Sequence, residues 1–253
     1  MKVTFLGTGT SQGVPVIGCT CEVCRSLDYR DKRLRASIHI SINNQSLVVD
    51  TGPDFRQQML RENISRLDAV LLTHAHRDHT AGIDDVRAYN FLQNMDMPVY
   101  GTSDTLNQIQ SDFAYIFGPD HYPGLPKLDL RTITEQKFQI NTIEITPLPV
   151  MHLRLPVLGF RIGDFSYITD ANHIPEATHE KLKGTKVLVI NALQKEQHIS
   201  HFNLKEAIEV VKKINPAKAY FTHISHKMGL HATVSKELPD NIELAIDGLQ
   251  ISL

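Results

Sequence analysis

Apolar positions along the chain recur with two rhythms, every second residue or every third to fourth, punctuated by Gly, Pro, Asn and Asp. The first rhythm marks strands and the second marks helices. Residues 2–6 predict a short strand that runs into the turn Gly7-Thr8-Gly9-Thr10. Residues 37–42 alternate with β-branched side chains and lead through Asn43-Asn44 into the apolar run 47–50, which predicts a hairpin ending in Asp50-Thr51-Gly52. Phe55, Met59 and Leu60 share a face of a helix expected over 53–62. Residues 68–72 read as a buried strand, 83–92 as an amphipathic helix, 99–100 as a short strand and 103–117 as a helix capped by Ser103.

Pro119, Pro123, Gly124 and Pro126 break any regular element from 118 to 130, where His121 and Tyr122 belong to either a passive connector or a flap. Ile133, 138–140 and 143–145 then predict antiparallel strands leading into Pro149-Val150-Met151-His152. Runs 158–162 and 166–170 flank the hairpin turn Gly163-Asp164, and 186–190 and 219–222 are further apolar strands. The clearest helix is 203–214, with Asn203 as its cap and Glu206 three residues on. Leu204, Ala207, Ile208, Val211 and Ile214 form its inner face. Strands 244–246 and 249–251 close the sequence around Asp247-Gly248. Nothing resembling a linker, repeat or low-complexity tract divides these elements, so one domain over residues 1–253 is expected.

Several apolar runs end in groups that bind metals. Strand 68–72 delivers Thr73-His74-Ala75-His76-Arg77-Asp78-His79-Thr80-Ala81-Gly82, with three imidazoles and a carboxylate in six residues. Imidazole and carboxylate together suit borderline divalent cations such as Zn, Mn or Fe. On extended backbone, residues i and i+2 project to one side, so His74 and His76 can grip one ion. Once the chain turns, Asp78 and His79 can reach a second. Ion pairs about 3.5–4 Å apart recur in enzymes that hydrolyse phosphate esters. Other strands end in His152, Asp170 and His223.

All three cysteines lie in Gly18-Cys19-Thr20-Cys21-Glu22-Val23-Cys24. So odd and close a set makes no disulfide framework. Thiolates at this spacing suit a tetrahedral zinc site, which still needs a fourth ligand. The glycine turn at 7–10 lacks both the G-x-x-x-x-G-K-[ST] pattern and a following helix, which excludes a phosphate loop. With 26 basic and 28 acidic residues the net charge is −2, so no global basic field draws the chain to nucleic acid. Its first residues lack a signal-peptide core, and no apolar run approaches the roughly 18 residues of a membrane span. A cytoplasmic protein is expected.

The stretch His74-x-His76-x-Asp78-His79, with Thr73 before it and Gly82 after, resembles the H-x-H-x-D-H signature of the metallo-β-lactamase superfamily. His152, Asp170 and His223 match its remaining ligand positions. The resemblance implies an α/β (α+β) fold, an αββα sandwich with mixed sheets face to face and helices outside. It also implies two divalent ions, Zn or Mn: one on His74, His76 and His152, the other on Asp78, His79 and His223, with Asp170 bridging. A classical β-lactamase lacks parts of this set, and an oxygen-reducing diiron member would carry an acid in place of His76.

The C-x-C-x-x-C after the first strand, with His226 three residues after His223, is similar to the PhnP-like phosphodiesterases. The likeness runs from Gly7-Thr8-Gly9 to Thr222-His223-Ile224-Ser225-His226. Those proteins hydrolyse 5-phosphoribosyl 1,2-cyclic phosphate and carry a separate structural zinc, which Cys19, Cys21, Cys24 and His226 would hold here. His201 matches the family's substrate-side histidine, which would bind phosphate or protonate the leaving oxygen. Asp78 and His201 are thus the expected catalytic residues. His198 reads as supporting or solvated, and His231 has no assignment.

The implied function is that of a metal-dependent phosphoric diester hydrolase, cleaving small cyclic phosphodiesters with a hydroxide activated between two metals. Its expected partner is that substrate, with no nucleic acid and no membrane, and a homodimer stays open. A tRNA 3′-processing endonuclease of the same superfamily is the alternative enzyme. It should carry a basic, Gly-rich arm, and no such segment is evident. An inert, metal-stabilised binding module is the alternative of another class, and the complete seven-ligand set argues against it.

Overall fold

The computed structural model describes residues 1–119 and 122–253, so His121 of the expected connector or flap lies outside the described residues. The first strands are β1 (Lys2–Gly7), β2 (Ser37–Ile42), β3 (Gln45–Val49), β4 (Ala69–Leu71), β5 (Met97–Gly101) and β6 (Leu128–Thr132). There follow β7 (Phe138–Ile140), β8 (Ile143–His152), β9 (Leu155–Ile162) and β10 (Phe165–Tyr167). The last are β11 (Val187–Asn191), β12 (Lys218–Thr222), β13 (Ile242–Leu244) and β14 (Gln250–Ser252). Among the described residues these strands form two seven-stranded sheets, ordered β14-β1-β2-β3-β4-β5-β6 and β13-β12-β11-β10-β9-β8-β7.

Side-chain alternation explains how the sheets stack. Leu47, Val49, Ala69 and Leu71 point to an inner core shared with Phe160, Ile162, Tyr167 and Val189 of the second sheet. Val48 and Val70, one residue out of phase, face the opposite way and pack on Phe55, Met59, Tyr89 and Leu106 from helices outside the first sheet. Helix Leu204–Ile214 covers the outer face of the second sheet, where Leu204, Ala207 and Val211 meet Ile190 and Phe221. Strands buried on both faces read as continuous apolar runs, as 68–72 does. Each fully buried aliphatic side chain contributes about 1.5–3 kcal/mol. The architecture is the αββα sandwich.

Helix Leu204–Ile214 keeps its expected capping box: Glu206 N–H donates to the Asn203 side chain and the Asn203 N–H donates to Glu206. Elsewhere the structure departs from the local pattern. Residues 128–130, read as irregular, belong to β6, which gains regularity by pairing in parallel with β5 at the sheet edge. The helix expected over 103–117 breaks at Phe113 (φ −119°, ψ 39°), and its cap is Thr102. The run 83–92 divides into a 3₁₀ turn, Ile83–Val86, and helix Arg87–Gln93. Strand β8 continues through Pro147 and Pro149 because β7 pairs only with residues 143–145, so the missing N–H groups face no strand. The two closing strands form no hairpin. β13 joins β12 and β14 joins β1, so Asp247-Gly248 lies on a crossing between sheets.

Candidate metal centre

Parallel pairing of β3-β4-β5-β6 and of β10-β11-β12-β13 aligns the carboxyl ends of these strands, the edge where open α/β sheets bind ligands. Asp50 follows β3, Asp170 lies beyond β10, His223 follows β12 and His152 ends β8. The Thr73 carbonyl accepts from the Leu158 N–H of β9, which ties the motif to the second sheet at 3.0 Å. After His76 the short helix Arg77–Thr80 presents Asp78 and His79. It packs so closely on the turn after β3 that a Cβ at Gly52 would strike the Asp78 carbonyl, and one at Gly82 would strike that of Gly52. Asp50, Asp170 and His223 hold left-handed backbone, with φ of 66°, 54° and 56°. Such conformations cost about 1–3 kcal/mol each and cluster at functional sites.

Hydrogen bonds fix which ring nitrogens are free. The Thr73 hydroxyl donates its one proton to Asp50 Oδ2 at 2.8 Å. His74 Nδ1, 2.9 Å from that hydroxyl oxygen, must therefore be the donor to it, which leaves Nε2 a lone pair. His79 Nδ1–H donates to Asp50 Oδ2 at 2.7 Å, and His152 Nδ1–H to the Ser200 carbonyl at 2.8 Å. Metal-bound histidines are oriented in this way by a carboxylate or carbonyl behind the ring. Among the described residues His74 Nε2, His79 Nε2 and both ring nitrogens of His223 are buried without a hydrogen-bond partner.

These atoms converge on carboxylates. His79 Nε2 lies 3.2 Å from Asp78 Oδ2 and 3.1 Å from Asp170 Oδ2, and His223 Nε2 lies 3.1 Å from Asp170 Oδ1. Asp78, His79, Asp170 and His223 thus bring their ligand atoms within 4.8 Å of one another. His152 and His201 form a second such group with Asp170, whose Oδ1 is 3.1 Å from His201 Nε2. His74 and His76 stand beside these groups, their rings 4.5 Å apart and 6.0 Å and 5.3 Å from that of His152. Every residue of the expected dinuclear set lies in one neighbourhood.

Electrostatics point the same way. Among the described residues no lysine or arginine pairs with Asp50, Asp78 or Asp170, although Asp50 and Asp170 are buried. Burial raises Asp170, but His223 and His79 outweigh it and hold the carboxyl well below its usual range. Burial opposes charge on His79, yet Asp170, Asp50 and Asp78 together draw a proton onto it. Burial, with His79 nearby, pushes His74 far down, and burial with His152 lowers His76, so both stay neutral as ligands must. Buried carboxylates without a permanent cation, facing neutral His74 and His76, fit divalent metal, which would take the place of the proton that His79 holds.

The cysteines form a separate cluster. Cys19, Cys21, Cys24 and His226 bring their ligand atoms within 4.8 Å of one another, and the two nearest thiols lie 3.3 Å and 3.4 Å from His226 Nδ1. The Cys24 N–H and His226 lower the Cys21 thiol to about 6, whereas burial pushes Cys24 up to about 11. Four converging soft ligands suit zinc.

Local pattern missed Asp50 and Thr73. Asp50 accepts from the Thr73 N–H, the Thr73 hydroxyl and His79, and so sets the ring behind two ligands. Its signal was an apolar strand ending in Asp-Thr-Gly, the same kind of ending that flags Asp170. His198 Nδ1 stands 3.2 Å from His201 Nδ1 and so supports that ring. His231 is structural: its N–H donates to Asp31 and its Nδ1 accepts from buried Arg33.

Residues 45–224 match the beta-lactamase superfamily domain. The chain belongs to the metallo-β-lactamase superfamily. A crystal structure of a new diphosphatase from the PhnP family superposes on this metallo-β-lactamase-fold chain with a TM-score of 0.93, at 36% identity, covering 99% of this chain and 96% of that one. The octanoyltransferase of Porphyromonas gingivalis is 39% identical over 99% of this chain, which spans only 51% of that relative's length. A ribonuclease Z from Mycobacterium sp. strain KMS is 25% identical over 98% of this chain and 94% of its own length. The chain is thus related to the PhnP-family diphosphatase. No helix among the described residues is long and apolar enough to cross a membrane.

Proposed function

We propose that the chain is a metal-dependent hydrolase of small phosphodiesters, cyclic ones such as 5-phosphoribosyl 1,2-cyclic phosphate among them. The carrying observation is the group Asp78, His79, Asp170 and His223, with buried, unpartnered ring nitrogens and no permanent counter-cation. His74, His76 and His152 would hold one divalent ion and Asp78, His79 and His223 the other, with Asp170 shared. Two such ions supply an activated water and neutralise charge on a phosphoryl oxygen.

The chain's own groups do the rest. Asp50 and the Ser200 carbonyl keep His79 and His152 aimed inward. His201, pushed down to about 4 by burial although it bonds to Asp170, is within reach of the centre without being one of the seven expected ligands. Once a phosphate anion is beside it, its Nε2 can carry the proton a departing alkoxide needs. Asp78 is at once ligand and the carboxylate on the open side, the most exposed acid of the centre. Cys19, Cys21, Cys24 and His226 would hold structural zinc and take no part in the reaction. The inner core that both sheets share supports a single domain over 1–253.

A diphosphate linkage is the second reading, favoured by the PhnP-family diphosphatase. It needs the same attack at phosphorus. The octanoyltransferase does not carry its named activity over to this chain, which spans only 51% of its length. The test is a panel of bis(p-nitrophenyl) phosphate, cyclic phosphodiesters, a dinucleoside diphosphate and a tRNA precursor on protein loaded with Mn or Zn. The small diesters should be cleaved, and Asp170→Ala should abolish both cleavage and metal retention. Cleavage of the tRNA precursor alone, with the steep salt dependence of many phosphate contacts, would overturn the proposal in favour of an RNA-processing enzyme.

A further inference from the structure

A cavity of about 740 Å³ opens directly beside the metal ligands, with His74 and His76 in its wall. That volume falls within the roughly 300–1,000 Å³ of sites for drug-sized ligands and is generous for a phosphorylated pentose. Leu155, Pro156, Val157, Leu158 and Ile133 also line it, with Leu155 and Pro156 exposed as its apolar surface. The charges in its wall are Arg77, Asp104, Asp112 and Glu135. The single guanidinium is already 3.0 Å from Asp112 and stacks over Phe113. Among the described lining residues three carboxylates thus face one guanidinium that already has an acidic partner, an unfavourable balance for an anion. Helix Ser103–Asp112 turns its first residues toward the cavity, which by itself favours an anion, but Asp104 in that turn offsets the helix dipole.

We infer that this cavity receives an uncharged, partly apolar organic group of nucleoside size, carried on the phosphorus at which water is to be added beside His74 and His76. The preferred substrate within that class is thus a nucleoside-bearing phosphodiester or diphosphate diester, ahead of a sugar carrying a second phosphomonoester. This inference rests on the phosphodiesterase reading and narrows it. It places 5-phosphoribosyl 1,2-cyclic phosphate behind nucleoside diesters, because its other phosphate would meet carboxylates and aliphatic carbon. Burial of a base against Leu155 and Pro156 supplies selectivity through removal of apolar surface from water.

Three substrates sharing p-nitrophenolate as leaving group test it: methyl p-nitrophenyl phosphate, thymidine 5′-(p-nitrophenyl phosphate), and the latter phosphorylated on its 3′ oxygen. The nucleoside diester should exceed the methyl diester about 10–100-fold in kcat/KM, and the extra phosphate should remove most of that gain. Leu155→Asp should lower the nucleoside-to-methyl ratio, and Asp104→Lys with Glu135→Lys should reverse the penalty on the phosphorylated arm. Equal kcat/KM for all three, or a preference for the phosphorylated arm in the parent protein, overturns the inference and leaves the phosphodiesterase reading intact. Failure to cleave any of them sinks that reading instead. Occupancy is then judged without turnover, by saturation-transfer NMR. Transfer to thymidine that exceeds transfer to ribose 5-phosphate and is lost in Leu155→Asp upholds the cavity assignment; equal transfer removes it.

Discussion

Asp50→Asn is the substitution that isolates orientation of a ligand from ligation itself. Asp50 is fully buried and accepts three hydrogen bonds, from the Thr73 N–H at 2.9 Å, the Thr73 hydroxyl at 2.8 Å and His79 Nδ1–H at 2.7 Å. Asparagine keeps the shape but replaces one accepting oxygen with an NH₂. If that NH₂ faces His79, the ring must turn its proton to Nε2, and the nitrogen aimed at the centre can no longer bind metal. If the amide flips, the NH₂ opposes the Thr73 N–H instead, leaving a buried donor unmet at about 1–3 kcal/mol. Loss of such supporting partners lowers metal affinity about 10–100-fold, or about 1.4–2.7 kcal/mol. Chelator competition should show that loss at one of two bound ions, and excess metal should restore most of kcat. Unchanged metal affinity with both ions retained would refute the role given to Asp50. A fall in kcat that saturating metal does not rescue would mean that Asp50 acts on the reaction itself.

His201→Ala should lower kcat about 10²–10⁴-fold on an alkyl cyclic phosphate and far less on bis(p-nitrophenyl) phosphate, whose leaving group departs without a proton. Equal losses at saturating substrate and constant metal would leave His201 only a phosphate-binding group. Cys21→Ser should release one zinc and lower Tm, with the His/Asp metal retained in protein that stays folded; unchanged zinc content would mean that the cysteines are no site. His39, hydrogen-bonded to Ser46, is pushed down to about 4 by burial and by Lys2. As pH falls below about 6.5 the unfolded chain gains a proton there that the folded chain refuses, so stability present above that pH is lost down to about 4. His39→Gln should therefore remove about 2–3 kcal/mol of the parent's stability loss between pH 7 and pH 4.5, read from urea midpoints. Identical acid limbs for the two proteins would contradict this.

Much of this molecule could be read in one dimension because both faces of its central strands are covered. Covered strands must be apolar throughout, so residues 68–72 and 219–222 stand out, and any polar group at their ends is conspicuous. His74, His76, Asp78, His79, His152, Asp170 and His223 were visible for that reason, as were the cysteines at their tetrahedral-site spacing. Helix Leu204–Ile214 was visible because its capping box and apolar face are local. Tertiary structure alone decided what depends on distant partners. It made a strand of residues 128–132 by setting them beside β5, and it sent β13 and β14 to different sheets although only a short turn separates them in sequence. Family resemblance rather than local pattern linked His226 to cysteines about two hundred positions away, and the fold brings them together. It also made Asp50 a buried acceptor behind His79, a role that no periodicity encodes because it arises where two strand ends meet. The cavity beside His74 and His76 belongs to the same class, its walls drawn from segments spread between positions 74 and 158. Local pattern reports which faces are buried, whereas the identity of what lies across a gap depends on how the sheets close.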